Sequence, residues 1–364
     1  MLLRLYAKGE APGGAPLAVE AKLGAPGRVL AEASLDGVGP AWRRCELRLV
    51  PSAAARDATL AIELLGPGTL WIDRVSLTPE DALPGHWRTD VVAALEDLRP
   101  GVLRYGGCSI EVTEWEEGVG PVEERVPFVN AFWGGRDPNN VGLAEFLALC
   151  LLVGAEPLVC VRWNGKTPQD AANEVEYVNG AVDTPYGRKR AAHGHPEPYG
   201  VRFWQIGNEV AGPEYERTVA DFARAMKAVD PSIRLCSAFP SLALVQNASP
   251  VLDYLSPHHY GCAALGAMEE DVLALRDLVT RAAGGPPSKL AVTEWSTTAG
   301  DWGLGRRALL TLDNALACAR YHHLMQRNSD FVEIAIRSNL TNSFCSGILQ
   351  TRGPDLFLAP TYYA

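Results

Sequence analysis

From Arg88 onward the chain repeats one pattern, an amphipathic helix followed by a short apolar strand, and few architectures accept that repeat. TDVVAALEDL precedes PGVLRYGG, GLAEFLALCLLVG precedes EPLVCVRW, and VADFARAMKAV precedes IRLCSAF. MEEDVLALRDLVTRA precedes KLAVTEW, ALLTLDNALACARYHHLMQR precedes FVEIAIRS, and the strands VRFWQIGNE and VLDYLSPHHY complete the series. Strands that are apolar throughout are covered on both faces, so the alternation implies a parallel sheet flanked by helices. At about 30 residues per unit it predicts a (β/α)8-type TIM barrel. Seven strands can be counted, near 102–106, 157–163, 201–208, 233–239, 252–258, 289–294 and 332–338. The expected barrel is therefore incomplete by one strand, and the chain reaches Pro360-Thr361-Tyr362-Tyr363-Ala364 where a closing helix is expected.

Residues 1–80 follow a different rule. LRLYAKG, LAVEAKL, RCELRLV, ATLAIELL and TLWIDRVSL alternate apolar with polar positions between Gly-, Pro- and Ala-rich turns. That spacing predicts a small β-sandwich, with Asp81–Trp87, which holds Pro84 and Gly85, as the junction. The expected domains are thus 1–80, a sandwich of the carbohydrate-binding-module type, and 81–364, the barrel.

The formal net charge of −10 over 364 residues argues against nucleic acid and against an anionic membrane as partners, because both select basic surfaces. A neutral glycan makes no such demand. The cysteines at 45, 108, 150, 160, 236, 262, 318 and 345 form no CxxC pair, which removes the zinc-ribbon and thioredoxin-type readings. MLLRLYAKGE carries no signal-peptide core and no run approaches a membrane span, so a cytoplasmic location is expected.

Two strands end in a carboxylate. Phe203-Trp204-Gln205-Ile206-Gly207-Asn208-Glu209 and Val292-Thr293-Glu294-Trp295 each close an apolar run with Glu. Desolvating such a group costs several kcal/mol unless something offsets it, roughly 1–3 for a neutral polar group and far more for a charge. The two residues are 85 positions apart, close to three barrel units, which places both at C-terminal strand ends, where barrel active sites are built. Paired carboxylates at one mouth are the equipment for glycosidic bond cleavage.

Across most of residues 60–364 the chain resembles the family 51 glycoside hydrolases, the α-L-arabinofuranosidase family. The resemblance rests on WIDRVSLTPED, LRPGVLRYGGC, WEEGVGPVEER, VGLAEFLALCLLVGAEPL, TPQDAANEVEYVNG, HGHPEPYGVRFWQIGNE, YLSPHHY, LAVTEW and LAPTYYA, in that order. It implies Glu209 as acid/base and Glu294 as nucleophile of a retaining, exo-acting enzyme on arabinan- or arabinoxylan-type glycans. Like charges in such a pair push one pKa upward, which is expected to keep Glu209 protonated near neutral pH. The resemblance further implies a substrate-binding set of Arg104, Cys108, Trp133, Asn208, His258, Tyr260 and Asn339. In that set Arg104 supports the nucleophile, Tyr260 orients it, Asn208 meets a sugar hydroxyl and Trp133 walls the sugar. His259 falls one residue off that face, and Trp295 is expected to pack beside the nucleophile. No cofactor is implied. No metal is expected either, because no carboxylate or third histidine stands at ligand spacing from His258 and His259.

Three departures accompany the resemblance. Arg104-Tyr105-Gly106-Gly107 lacks the proline usual after the aromatic residue, and Asn339 stands where many relatives carry Gln. Relatives also begin with a barrel strand bearing a further substrate-binding Glu and end in a β-sandwich, neither of which is visible here. Two alternatives therefore stay open: another retaining glycosidase of the same clan, such as an endoglucanase or β-xylosidase, and a degenerate barrel that binds carbohydrate without cleaving it. The seam between the first and last strands needs a cover. The candidates are a strand from residues 1–80, a neighbouring copy in a homo-oligomer, or direct pairing of the two edges; the first two are favoured.

Overall fold

Alternation builds the first part of the chain. In β1 (Leu2–Glu10) the side chains of Leu3, Leu5 and Ala7 are buried while the residues between them are not. Strands β2 (Leu17–Ala25), β3 (Arg28–Val38), β4 (Arg43–Arg48), β5 (Thr59–Leu65) and β6 (Thr69–Thr78) follow. They form two three-stranded antiparallel sheets, β4-β1-β6 and β3-β2-β5. Leu3, Leu5 and Ala7 share one core with Leu17, Val19, Ala21 and Leu23, each buried leucine contributing about 1.5–3 kcal/mol.

The structure, a computed structural model, describes residues 1–84, 87–282, 288–298, 304–342 and 347–364. It divides into two compact units, Met1–Thr89 and Asp90–Ala364. The boundary falls nine residues beyond the expected one, because Leu83 and Trp87 form a further antiparallel bridge in the first unit. Gly85, part of the expected junction, lies outside the described residues, as does Cys345.

The second unit is an α/β barrel. Helix α1 (Thr89–Leu98) leads to β7 (Val102–Tyr105), and a small hairpin of β8 (Phe128–Val129) and β9 (Arg136–Asp137) precedes α2 (Leu143–Val153). Then come β10 (Glu156–Val161), α3 (Pro168–Asn179), α4 (Pro185–Ala192), β11 (Phe203–Ile206), α5 (Pro213–Val229) and β12 (Arg234–Cys236). The series continues with α6 (Leu242–Ala248), β13 (Tyr254–Leu255), β14 (His258–Tyr260), α7 (Leu265–Ala282), β15 (Lys289–Ser296), α8 (Leu312–Arg327) and β16 (Val332–Arg337). A final hairpin joins β17 (Leu349–Arg352) to β18 (Asp355–Leu358). Local signals set these boundaries: α3, for example, starts at a capping box of Thr167 and Asp170 with Pro168 in its first turn.

All barrel strands run parallel in the order β7-β10-β11-β12-β13-β15-β16, with β14 continuing the β13 position along the upper part of β15. This is a nearly closed barrel of seven strand positions, matching the seven expected. The ring stays open between β7 and β16: among the described residues no ladder joins them. A cleft of about 660 Å³ runs along this seam, from Leu98, Pro100 and Gly101 at one end to Gly107, Asn339 and Leu340 at the other.

Two expected covers of the seam are corrected by this arrangement. Among the described residues, strands β1 to β6 pair only with one another, so no strand from residues 1–80 enters the barrel sheet, and the two edges do not pair directly. An unforeseen element ties the helix layer instead. The turn Pro360–Tyr362 lies against α8, and the Tyr362 hydroxyl donates to the Ala94 carbonyl of α1 (2.6 Å), with the Asp97 carboxylate 3.1 Å away.

Candidate active site

The C-terminal strand ends carry the chemistry. Gly207 leaves β11 at φ 75°, and a side chain there would meet Val210 at 2.5 Å, so only glycine makes this exit. Glu209 follows at φ 51°, a left-handed conformation that costs a non-glycine residue about 1–2 kcal/mol. Glu111 holds this turn. One of its carboxylate oxygens accepts the Asn208 backbone N–H (2.7 Å) and the other the Asn164 backbone N–H (2.8 Å), binding the exits of β11 and β10 together. Burial raises the Glu111 pKa, against the lowering effect of those N–H groups.

Arg104, on β7, points all three arms of its guanidinium into the site. Nε donates to Gln205 Oε1 (2.8 Å), Nη1 to Glu294 Oε1 (2.8 Å) and Nη2 to Asn208 Oδ1 (2.6 Å). Its side chain is 7% exposed and that of Glu294 12%, so the ion pair is nearly dry and its fixed geometry offsets the desolvation of both charges. Gly106 permits the close approach, since a Cβ there would lie 2.8 Å from Cys160 Cβ and 3.1 Å from the Arg104 guanidinium carbon. The second Glu294 oxygen accepts from the Tyr260 hydroxyl (2.5 Å), which also meets Ser338 Oγ at 3.0 Å.

His258 stands between the two carboxylates. It is the cross-strand neighbour of Glu294, and its Nδ1 lies 2.9 Å from Glu209 Oε1 and 3.7 Å from Glu294 Oε2. Cys108 Sγ lies 3.5 Å from Glu209 Oε2, and burial pushes that thiol up to about 11. The hydrogen bond from His258 holds the Glu209 carboxyl below the ordinary range, outweighing desolvation. The upward push expected for Glu209 from its like-charged neighbour is thus reversed by His258.

Arg104, Cys108, Asn208, Glu209, His258, Tyr260 and Glu294 are therefore brought together at one mouth. Asn339 lines the seam cleft together with Arg104 and Glu294. Trp133 lies on the exposed β8–β9 loop, where its backbone N–H donates to Asn130 Oδ1, and Asn130 in turn meets Ser109 beside Cys108. His259 turns away to Tyr321 and Asp271. Trp295 is corrected: it packs outward on α8, with ring centroids 5.0 Å from Tyr321 and 4.9 Å from His322. Alternation along β15 sends residue 295 to the face opposite Glu294.

The expectation that no carboxylate stands at ligand spacing from the histidines is also corrected. Glu209, His258 and Glu294 each bring one ligand atom within 4.8 Å of the others, because the carboxylates reach His258 from other strands. The strand pattern gave no role to Gln205, Ser256, Thr293 and Glu111, yet all four hold the site; for Gln205 and Thr293 the available signal was a buried polar residue inside an apolar run, whereas Glu111 lies in a short turn outside the strands.

A parallel barrel that gathers two carboxylates, an arginine and a tyrosine at its C-terminal face has the layout of the glycoside hydrolase class. The sequence profile of the alpha-L-arabinofuranosidase 1 domain matches residues 94–272. The probable alpha-L-arabinofuranosidase C of Aspergillus fumigatus is 30% identical over 302 residues, covering 70% of this chain and 60% of that protein. The intracellular exo-alpha-(1->5)-L-arabinofuranosidase of Acetivibrio thermocellus is 35% identical over 195 residues, 48% of this chain and 39% of that protein. Among solved structures, the arabinose complex of the Thermotoga maritima alpha-L-arabinofuranosidase matches with a TM-score of 0.69 at 27% identity, covering 77% of this chain and 63% of that one. The chain thus spans less than two thirds of the length of these relatives. Over the matched residues it is similar, in sequence and in barrel fold, to the family 51 α-L-arabinofuranosidases.

Proposed function

We propose that the chain is a retaining, exo-acting α-L-arabinofuranosidase that releases arabinofuranose from arabinan- or arabinoxylan-type glycans. One observation carries the reading: carboxylate oxygens of Glu209 and Glu294 lie within 4.8 Å, compatible with the ~5–5.5 Å carboxyl separation of retaining glycosidases. Glu294, fixed by Arg104 and Tyr260, attacks the anomeric carbon while Glu209, in the fraction of molecules that hold it protonated against the lowering effect of His258, delivers its proton to the leaving oxygen. Water then hydrolyses the furanosyl ester, with Glu209 as base. Asn208, Cys108, His258, Asn339 and the Trp133 loop are assigned to the sugar. The name of the Acetivibrio thermocellus relative supports the exo-acting reading, and the seven free cysteines among the described residues are compatible with a cytoplasmic location.

Glu294→Gln should abolish the covalent intermediate, seen by trapping with a slow-leaving fluoro-sugar. Glu209→Ala should lower kcat/KM by about 10²–10⁴ on alkyl arabinofuranosides and far less on aryl substrates, whose good leaving groups need no proton. Equal losses on both would refute the role of Glu209. A wild-type protein inactive on every aryl furanoside, yet retaining arabinose, would favour the non-catalytic barrel.

A further inference from the structure

The buried polar residues in the strands form one chain of hydrogen bonds, and its direction is fixed at one end. Gln205 is fully buried, with Oε1 facing Arg104 Nε. A guanidinium only donates, so the amide oxygen belongs on that side and the nitrogen on the other. There Nε2 gives its two protons to the Ser237 carbonyl and to Ser256 Oγ, both at 3.2 Å. Ser256 therefore accepts from Gln205, and its own proton has Thr293 Oγ1, at 2.5 Å, as acceptor among the described residues. The Thr293 hydroxyl then donates a hydrogen bond to His258 Nε2 at 3.0 Å. A ring whose Nε2 accepts carries its proton on Nδ1, which faces Glu209 Oε1. The opposite direction would leave the proton of the buried Ser256 hydroxyl without an acceptor.

We propose that this relay from Arg104 through Gln205, Ser256 and Thr293 fixes His258 as the Nδ1–H tautomer and so selects Glu209 Oε2 as the oxygen that carries the catalytic proton. The proposal rests on the retaining reading above. His258 occupies Oε1 as donor, and among the described residues its ring faces Glu209, Glu294, Thr293 and the ring of Phe239. Oε2 faces Cys108. In the first step the Oε2 proton moves to the leaving oxygen as the glycosidic C–O bond breaks and a Glu294 oxygen bonds to the anomeric carbon. In the second, water attacks that carbon, its proton passes to Oε2, and the Glu294 carboxylate is released. His258 keeps its proton throughout. Gln205, Ser256 and Thr293 are positioning residues, since each acts through His258.

The test reads the tautomer directly. Nitrogen-15 NMR of histidine-labelled protein without substrate, at a pH where the ring is neutral, should show His258 protonated at Nδ1, with the signal assigned by its loss in His258→Asn. Thr293→Ser keeps the hydroxyl and should keep that pattern. Thr293→Val should move the proton toward Nε2 and lower kcat/KM on alkyl arabinofuranosides by at least about tenfold, with aryl substrates less affected and the pH profile displaced. If Thr293→Val fails to fold, Ser256→Ala breaks the same chain. An Nε2–H wild-type ring would overturn the proposal, as would a Val variant with unchanged tautomer and unchanged leaving-group dependence. A wild-type protein that turns over no arabinofuranoside would count against the proposed function instead, because the tautomer is measured without one.

Discussion

A single buried carboxylate sets the aim of another. Glu111 accepts two backbone N–H groups from two different strand exits, one of them belonging to the residue before Glu209. Glutamine in its place presents one oxygen and one NH2, so one of those N–H groups faces a donor. Glu111→Gln should cost about 1–3 kcal/mol of stability by thermal melting. The turn at φ 51° also loses its anchor, so kcat should fall while KM changes little; the reverse split would show that Glu111 serves binding instead.

Helix α3 carries a different kind of polar burial. Glu174 lies 2% exposed on its inner face, its Oε1 finds no hydrogen-bond partner among the described residues, and burial pushes its pKa up to about 8. A raised folded-state pKa means that the unfolded chain loses its proton first as pH rises. This contribution to stability is therefore complete below about pH 4.5, declines through neutrality and is gone above about pH 8. Wild-type protein should lose a few kcal/mol more than Glu174→Gln between pH 5 and pH 8, at ~1.4 kcal/mol per pKa unit. Parallel melting curves for the two proteins across that range would contradict this. At this scale most of the architecture was legible, because continuous apolar runs such as Leu158–Val161 and Leu290–Val292 can only be buried strands. The converging Arg104, Asn208, Glu209, His258, Tyr260 and Glu294 were legible from motifs at strand ends. What stayed hidden depends on neighbours far away in sequence. Gln205 makes sense only once Arg104 is 101 residues off but in contact, and Tyr362 only once α1, 268 residues earlier, is beside it. The lowered pKa of Glu209 likewise needed the position of His258, since charge counting alone gave the opposite sign.

At the level of the molecule the open seam dominates. Strand edges on β7 and β16 present backbone N–H and C=O groups to a cleft rather than to each other, an arrangement that favours association. Sedimentation velocity should therefore show species heavier than one chain, shifting with concentration. A homogeneous monomer with full activity would mean that the C-terminal turn and solvent suffice to satisfy the seam. Arg104 gives that gap a further meaning. It stands on one lip of the opening, yet its arms reach β11, the turn after it, and β15. A closed hoop keeps its diameter through its rim; a split ring needs a chord. Here the chord is a guanidinium, and the carboxylate gap is measured along it. Heating should then slacken the chord before the helices melt, so the rate should fall at temperatures where circular dichroism still reports an intact fold. Arg104→Lys, which keeps the charge but not the three-armed reach, should widen that interval between losing the rate and losing the fold.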